Sequence, residues 1–237
     1  MATPALDIQN LHAWYGESHI LHGLSISVQP GQVVTLLGRN GAGRTTTLRA
    51  IMGLTGARKG SIKVHGQETV HLSTHRIAQL GLGYCPEERG IFASLTTEEN
   101  LRLPPLLKSR RGKIMSEPEI YAMFPNLAER RHSPGTRLSG GEQQMLAVAR
   151  ILRTGADILL LDEISEGLAP VIVQALGRMI TALKAQGFTI VMVEQNFRFA
   201  APLADHFVVM EHGQVVESFA AAQLESKRAL LDELLSV

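Results

Sequence analysis

Apolar residues recur at short intervals in the N-terminal third of the chain and predict a group of strands. Three apolar or alternating stretches are bounded by turn-forming sequences such as Gln29-Pro30-Gly31 and lie at residues 6–14, 24–28 and 61–64. Because such stretches between turn residues are typical of strands, we expect an antiparallel β element here. A further apolar stretch at residues 32–37 leads into a glycine-rich loop, and the helical spacing after that loop predicts a helix.

The middle of the chain has a helical pattern. Thr96 with Glu99, and Ser116 with Glu119, have the spacing of capping boxes, and prolines end the helical stretches. We therefore expect an inserted group of short helices between residues 95 and 137.

The C-terminal part alternates apolar strands with helical stretches. Strands at residues 158–161 and 189–193 enclose a helix-like stretch, which is the βαβ rhythm of a buried parallel sheet. Two further stretches, 207–210 and 215–219, predict a final hairpin. The tail after residue 221 has leucines at helical spacings, and we expect it to dock on the core.

Length and composition describe one globular unit. The chain has 237 residues, of which 45% are hydrophobic, and this is ample for a packed interior. We predict a single α/β domain over residues 1–237. Approximately, residues 1–86 and 138–237 would form its core with the β subdomain, and residues 87–137 a helical subdomain.

Charge and cysteine content narrow the functional classes. The formal net charge is +1, with 23 basic and 22 acidic residues interspersed, so no footprint of a nucleic-acid binder is present. The basic run at residues 108–113 is interpreted as a solvated loop. Cys85 is the single cysteine, no N-terminal stretch resembles a signal peptide, and no run approaches the roughly 20 apolar residues of a membrane helix. We expect a cytoplasmic protein whose membrane role, if any, depends on partner subunits.

A glycine-rich loop follows the strand at residues 32–37. Its sequence fits G-x-x-x-x-G-K-[ST], the phosphate-binding P-loop, in every position but one, and comprises Gly38, Arg39, Asn40, Gly41, Ala42, Gly43, Arg44, Thr45 and Thr46. Backbone N–H groups of such a loop, together with a helix N-terminus, form a cradle for an anion. The Thr45 hydroxyl is placed to ligate Mg²⁺. Taken alone, the motif is also compatible with a turn that merely joins strand and helix.

Arg44 occupies the position of the P-loop lysine. A guanidinium keeps the positive charge, but its planar fork is longer and of different shape from an ammonium, so the exchange is not conservative beside a phosphate. We expect it to affect hydrolysis more than binding.

Two adjacent carboxylates end the apolar strand at residues 158–161. A buried parallel strand delivers the side chains at its C-terminal end into a ligand crevice. Asp162 is there positioned to hold Mg²⁺ and Glu163 to polarise an attacking water, as in the Walker B arrangement. By itself an Asp-Glu pair is also common where a strand ends.

The third motif, residues 138–144, precedes a helix. Alone, it could be a helix cap, with Ser139 at the N-cap and Glu142 complementing the dipole. In this order after a P-loop and before an Asp-Glu strand, Ser139-Gly140-Gly141-Glu142 resembles the signature of ATP-binding cassette (ABC) proteins. The resemblance implies a P-loop NTPase core of ABC type with an N-terminal antiparallel β subdomain and an inserted helical subdomain.

The resemblance also implies roles for individual residues. In this family the signature binds the nucleotide of the opposing subunit in a head-to-tail dimer, so Ser139, Gly140, Gly141 and Glu142 are expected to contact the partner's ATP. Tyr15 matches the aromatic residue that stacks on adenine, although an aromatic at a strand end is more often a core residue.

Two further positions depart from the common family pattern. Glu87 lies at the Q-loop, where most cassettes have glutamine, and the added negative charge makes us expect a stronger dependence on metal. Gln195 lies at the switch position, where histidine is usual; it can hydrogen-bond a phosphate but cannot titrate. Glu163 and Gln195 are thus the expected catalytic residues.

These departures occur together in one subfamily. Pro86-Glu87, Gly167-Leu168-Ala169-Pro170 and Val193-Glu194-Gln195-Asn196 resemble the LivF-type ATPase subunit of branched-chain amino acid importers. The resemblance implies ATP and Mg²⁺ as cofactors and a homo- or heterodimer with another ABC ATPase subunit. It also implies transmembrane permease subunits, an extracytoplasmic solute-binding protein, and a peripheral position on the inner face of the membrane, with no nucleic-acid partner.

Three alternatives remain open at this point. The ATPase subunits of urea and amide importers share many of these motifs, so the transported solute is inferred by analogy. A regulatory subunit with weak hydrolysis would account for Arg44, although the intact Glu163 opposes it. A soluble cassette protein of translation or repair would normally have two cassettes or a large insertion in one chain.

Overall fold

Two β-sheets organise the computed structural model, which describes residues 3–107 and 111–235. The strands of this part of the chain are β1 (Leu6–Tyr15), β2 (Ser18–Val28), β3 (Val33–Gly38), β4 (Ala57–Val64), β5 (Gln67–Glu68), β6 (Leu82–Cys85), β7 (Ile158–Asp162), β8 (Thr189–Val193), β9 (His206–Glu211) and β10 (Gln214–Ala220). Residues 108–110 of the basic run lie outside the described residues.

The α-helices of the described residues are α1 (Arg44–Ile51), α2 (Thr74–Ala78), α3 (Thr97–Arg102), α4 (Glu117–Met123), α5 (Pro125–Glu129), α6 (Gly140–Leu152), α7 (Pro170–Ala185), α8 (Phe197–Ala200) and α9 (Arg228–Leu235). Short 3₁₀ segments lie at Gly135–Arg137, Ala221–Gln223 and Glu225–Lys227. Thr96 and Ser116 begin α3 and α4 with complete capping boxes, as their spacing predicted.

The first sheet is antiparallel and has the order β2-β1-β4-β5. The predicted strand at residues 24–28 was too short, since β2 begins at Ser18. The first half of β2 has polar side chains on a half-buried face, so the hydrophobic pattern does not predict it as a strand. The antiparallel β subdomain expected from the sequence is therefore present.

The second sheet has the order β10-β9-β3-β8-β7-β6. All neighbours pair in parallel except β9 and β10, which form the predicted final hairpin. The side chains of β7 alternate between two cores: Leu159 and Leu161 pack with α6 and α7, whereas Ile158 and Leu160 pack with residues of the first sheet. This α/β architecture agrees with the predicted fold class.

Between β6 and α6 the chain forms the inserted short helices. Their apolar residues, among them Leu101, Ile120 and Phe124, share a core with Leu146 of α6. The boundaries of a separate helical subdomain at about residues 87 and 137 stay a prediction. The tail docks as expected: Leu231 is buried with Leu37 and Phe207.

None of the helices in the described part of the chain combines the length and hydrophobicity that a bilayer span requires.

Candidate functional site

The strand order of the second sheet brings the sequence motifs to one edge. β3, β8, β7 and β6 are parallel neighbours, so their carboxyl ends lie side by side. The P-loop follows β3, Gln195 follows β8, Asp162 ends β7, and Glu87 follows β6. Ligand sites of open α/β sheets are formed at such an edge.

The P-loop connects β3 to α1 through glycines in unusual conformations. Gly43, the N-cap of α1, has φ +97° and offers no side-chain cap to the helix. A Cβ at Gly38 would lie 2.4 Å from the carbonyl oxygen of Met210, so only glycine fits there. The first N–H groups of a helix have no intrahelical acceptor, and those of α1 are available to an anion because no side chain caps them.

A cavity of about 520 Å³ lies in front of this loop. Most of its lining comes from residues predicted to bind nucleotide or to catalyse, and the full set is Ile20, Asn40, Gly41, Ala42, Gly43, Arg44, Thr45, Thr46, Glu87, Glu163, Glu166 and Gln195. Gly38 and Arg39 line an adjoining cavity with Gln195. The fold thus joins P-loop, Q-loop and switch positions in one space.

Arg44 is buried under this cavity, with 5% of its surface exposed. Its Nη2 lies 3.1 Å from Oε1 of Glu163, and its Nη1 donates to the backbone oxygen of Glu194 at 3.0 Å. A longer contact of 3.4 Å joins Nη2 to Asn40. Burial lowers the pKa of Arg44, against the charges of the neighbouring carboxylates, and the guanidinium remains the cation of the site.

Glu163 is held at both of its carboxylate oxygens. Oε1 faces Arg44, and Oε2 accepts a hydrogen bond from Nε2 of Gln195 at 2.9 Å. The backbone of Glu163 has φ +46°, a left-handed conformation that is strained for a residue other than glycine. Strand β7 ends here because this turn redirects the chain, and the turn aims the carboxylate at the P-loop.

Asp162 lies next to the first turn of α1. Its Oδ1 accepts a hydrogen bond from Thr45 at 2.9 Å, and its Oδ2 accepts one from the Tyr84 hydroxyl at 3.0 Å. The residue is fully buried, and burial raises its pKa. Within residues 3–107 and 111–235, no group of three or more His, Cys, Asp or Glu side chains could hold a metal ion. The pair Thr45 and Asp162 fits Mg²⁺ only when phosphate and water oxygens complete the shell, which is the usual way this ion is bound.

Carboxylates outnumber the cations at the cavity. The neighbouring carboxylate of Glu163 raises the pKa of Glu166. Glu87 adds a third acidic side chain to the lining. A polyphosphate would meet repulsion there unless Arg44 and a divalent cation offset it.

The signature residues lie at the start of α6. Ser139 is its N-cap and forms a capping box with Glu142, whose Oε2 accepts the Ser139 N–H at 2.7 Å. Ser139 is exposed and Gly140 half-buried, whereas Gly141 is buried against Ile172. Among the described residues, none of the four signature positions lines the P-loop cavity.

Tyr15 ends β1 and is 38% exposed. The neighbouring hydroxyls of Tyr84 and Tyr15 raise the pKa of Arg49 in α1, with Tyr84 contributing most. Tyr15 is not part of the cavity lining in the described structure. Its stacking role stays a prediction.

Sequence reasoning missed two residues that contact the predicted site. Tyr84 holds Asp162, and the carboxylate of Glu194 holds Ser165. Tyr84 precedes the Q-loop by two residues and Glu194 precedes Gln195, so adjacency to a motif was the available signal.

A family model described as "ABC transporter" matches residues 21–166. The chain is 37% identical over 230 residues to the high-affinity branched-chain amino acid transport ATP-binding protein BraG of Pseudomonas aeruginosa, covering 97% of this chain and 99% of that protein. It is 33% identical over 216 residues to the probable branched-chain amino acid transport ATP-binding protein LivF of Archaeoglobus fulgidus, covering 90% and 91%.

Solved structures agree in fold. A nucleotide-free ATP-binding cassette from an ABC transporter superposes with a TM-score of 0.82 over 99% of both chains, at 23% identity. An ATP-binding subunit of an ABC transporter superposes with a TM-score of 0.81 over 98% of this chain and 100% of that one, at 26% identity.

Proposed function

The chain belongs to the ABC transporter family, and on that premise we propose that it binds and hydrolyses ATP to energise the import of branched-chain amino acids. The relatives BraG and LivF, named as branched-chain amino acid transport ATP-binding proteins, align along nearly the whole chain and support this solute class. They favour it over a urea or amide importer and over a soluble cassette protein.

One observation carries the proposal: Thr45, Asp162 and Glu163 converge with Arg44 at one sheet edge. The Thr45 hydroxyl and Asp162 are 2.9 Å apart, and Arg44 and Glu163 are 3.1 Å apart. A phosphate ligand, a metal-binding pair and a general base are what phosphoryl transfer to water requires.

Each side chain has a distinct task in this proposal. Backbone N–H groups of Gly41 to Thr46 and the Arg44 guanidinium hold the phosphates. Thr45 and Asp162 hold Mg²⁺, which when bound neutralises phosphate charge. Glu163 accepts the proton of the attacking water, and Gln195 orients the γ-phosphate by its amide.

The base needs to be released before it can act. Arg44 and Gln195 each engage one oxygen of Glu163 and so occupy acceptor positions that a water would otherwise use. A γ-phosphate next to Arg44 and Gln195 competes for both donors. Nucleotide binding is therefore expected to free Glu163 at the moment it is needed.

The partner chain completes the site in this proposal. Ser139 to Glu142 lie outside the cavity of their own chain, which supports a head-to-tail dimer in which they reach the other subunit's ATP. We infer that the chain is peripheral on the inner membrane face, where it assembles with a second ABC ATPase subunit, two transmembrane permease subunits and an extracytoplasmic binding protein. A contact with the permease through the inserted helices accords with exposed Phe92, Leu103 and Leu106 on that side of the chain.

The alternative of a regulatory subunit is tested together with the main proposal. The complex of this chain with its permease and partner subunits, reconstituted in vesicles, is expected to hydrolyse ATP and to accumulate leucine, isoleucine or valine. Glu163→Gln should abolish both activities. Transport that persists in Glu163→Gln would favour the regulatory reading, and uptake of urea without uptake of leucine would overturn the solute class.

A further inference from the structure

The carboxylate of Glu194 joins two loops of the site. Glu194 follows β8 and is 1% exposed. Its Oε2 accepts a hydrogen bond from the Ser165 hydroxyl at 2.7 Å, and its Oε1 accepts one from the Ser165 backbone N–H at 3.1 Å. A buried carboxylate that binds both donors of one residue fixes that residue relative to β8.

These contacts are part of a closed loop of residues, Glu163, Ser165, Glu194 and Gln195, which is joined by hydrogen bonds and by the chain and contains the predicted base. Ser165 lies two residues after Glu163, and Gln195 directly follows Glu194. The Gln195 amide donates to Glu163 at 2.9 Å, so the loops after β7 and β8 are joined at two points. If the contact of Glu194 with Ser165 were lost, only the hydrogen bond from Gln195 to Glu163 would remain of these two connections.

The turn inside this closed loop is strained. Glu163 has φ +46°, and its N–H donates to the Val193 carbonyl at 2.9 Å. A left-handed residue that is not glycine persists only where its surroundings over-determine it. The hydrogen bonds to Glu194 supply that constraint just beyond the turn.

Glu194 also contacts the cation of the site through its backbone. Its carbonyl oxygen accepts the Nη1 hydrogen bond of Arg44 at 3.0 Å. A shift of Glu194 would therefore change the positions of Arg44, Gln195 and Glu163 together.

We infer that Glu194 is a positioning residue for hydrolysis, whose contacts with Ser165 hold the Glu163 carboxylate in the geometry that activates water. The inference rests on the proposed function. It predicts a loss in the chemical step and a smaller change in substrate binding. Glu194 lines the adjoining cavity with Gly38 and Arg39, but it is 1% exposed and both of its carboxylate oxygens are hydrogen-bonded to Ser165.

A neutral side chain of the same shape should preserve the contacts. Burial raises the pKa of Glu194 to about 7, so its protonated form is populated near neutral pH. Like that form, glutamine can accept from the Ser165 N–H and donate to the Ser165 hydroxyl, which then serves as the acceptor. Hydrolysis then depends on the hydrogen bonds between residue 194 and Ser165, and not on the negative charge of Glu194.

The test measures kcat and KM for ATP in the full chain assembled with its partner subunits. Glu194→Ala is expected to lower kcat about 10- to 100-fold, as misplacement of a catalytic group does, with KM changed less than about threefold. Glu194→Gln is expected to keep kcat within about fivefold of wild type. Ser165→Ala, which removes only the hydroxyl, is expected to lower kcat less than Glu194→Ala.

Glu68→Ala is the control for loss of a carboxylate that accepts both a serine hydroxyl and backbone N–H groups, at an exposed position. Glu68 accepts hydrogen bonds from the Ser61 hydroxyl and from three backbone N–H groups in the first sheet, away from the cavity. The Glu68→Ala variant should be less stable than wild type but should have the same kcat.

A kcat unchanged in Glu194→Ala, or equally low in Glu194→Gln and Glu194→Ala, would overturn the inference. If Glu194→Ala does not fold, an unchanged kcat in Ser165→Ala would overturn it. A wild-type assembly that hydrolyses no ATP would overturn the proposed function instead.

Discussion

Arg44 and Glu163 form a buried ion pair in which Nη2 of the guanidinium lies 3.1 Å from Oε1 of the carboxylate. The pair joins the departure from the P-loop pattern to the residue predicted to activate water. It explains how an arginine is accommodated: the longer side chain reaches across to β7 and β8, where it contacts Glu163 and the Glu194 carbonyl. A phosphate bound next to Arg44, as proposed, would compete with Glu163 for this cation.

Arg44→Lys is expected to raise kcat several-fold, by roughly 3- to 10-fold. The guanidinium reaches these partners with two nitrogens, Nη2 toward Glu163 and Asn40 and Nη1 toward the Glu194 carbonyl. A shorter lysine with one nitrogen is expected to lose part of this set, so the base is released more readily while the charge for phosphate remains. Steady-state ATP hydrolysis of the assembled subunits measures this change. Arg44→Ala is the control and should weaken ATP binding about 10- to 100-fold, as loss of a charge-assisted hydrogen bond does. Equal kcat in wild type and Arg44→Lys would show that the ion pair does not restrain Glu163.

Asp162→Asn is expected to weaken ATP binding about 10- to 100-fold in the presence of Mg²⁺. In EDTA the same substitution should have little effect, because Asp162 acts through the metal. Calorimetric titration of ATP with and without Mg²⁺ measures both values. Tyr84→Phe removes one hydrogen bond to Asp162 but leaves the contact between Asp162 and Thr45, and should show a smaller loss. An Asp162→Asn defect of the same size in EDTA would contradict metal ligation.

Ser139→Ala is expected to reduce ATP hydrolysis by the assembled dimer. Ser139 caps α6 and is exposed, and in the proposed head-to-tail dimer it contacts the partner's ATP. Loss of an N-cap costs about 1 kcal/mol of stability. Ser116→Ala removes an equivalent capping box from α4 and controls for that loss. Thermal unfolding and ATPase rates of the two variants should show similar destabilisation, with the lower rate confined to Ser139→Ala. Equal ATPase rates in Ser139→Ala and Ser116→Ala would show that Ser139 does not take part in hydrolysis beyond capping α6.

Glu194 makes stability depend on pH. Its folded pKa is raised to about 7 by burial from an ordinary value of 4.5, with Ser165, Glu163 and Arg44 facing it. Between these values the folded state binds more protons than the unfolded state, so the contribution is fully present below pH 4.5 and is lost as the pH rises through about 7. The difference is at most about 3 kcal/mol.

Urea unfolding of wild type and Glu194→Gln at pH 5 and pH 7.5 measures this contribution. Wild type should lose more free energy of unfolding over that interval than the variant does. Parallel curves for the two proteins would show that Glu194 does not titrate in this range.

The elements of the fold could be predicted largely from the sequence, whereas their arrangement could not. Periodicity placed the apolar strands near residues 158–161 and 189–193, and the capping boxes at Thr96 and Ser116 placed two helix starts. β6 was missed because four residues, one of them a glycine, are too short for a pattern. Gly83 is there for packing, since a Cβ would lie 1.9 Å from Ile151.

The motifs predicted which residues meet, but not how they touch. Local sequence does not specify that β8 lies between β3 and β7, and this order is what puts Gln195 against Glu163. The contact of Glu194 with Ser165 spans 29 residues of chain and has no local signature. The ion pair of Arg44 depends equally on tertiary packing.

The central claim is that Glu163 activates water for ATP hydrolysis while Arg44 holds the phosphates. The most direct measurement is ATP hydrolysis and ATP affinity of Glu163→Gln beside wild type, in the assembled subunits with Mg²⁺. The expected kcat is lower by at least about 100-fold, as for loss of a general base. The expected ATP affinity equals or exceeds that of wild type, because Arg44 no longer faces a competing carboxylate. Hydrolysis within about twofold of wild type would contradict the central claim.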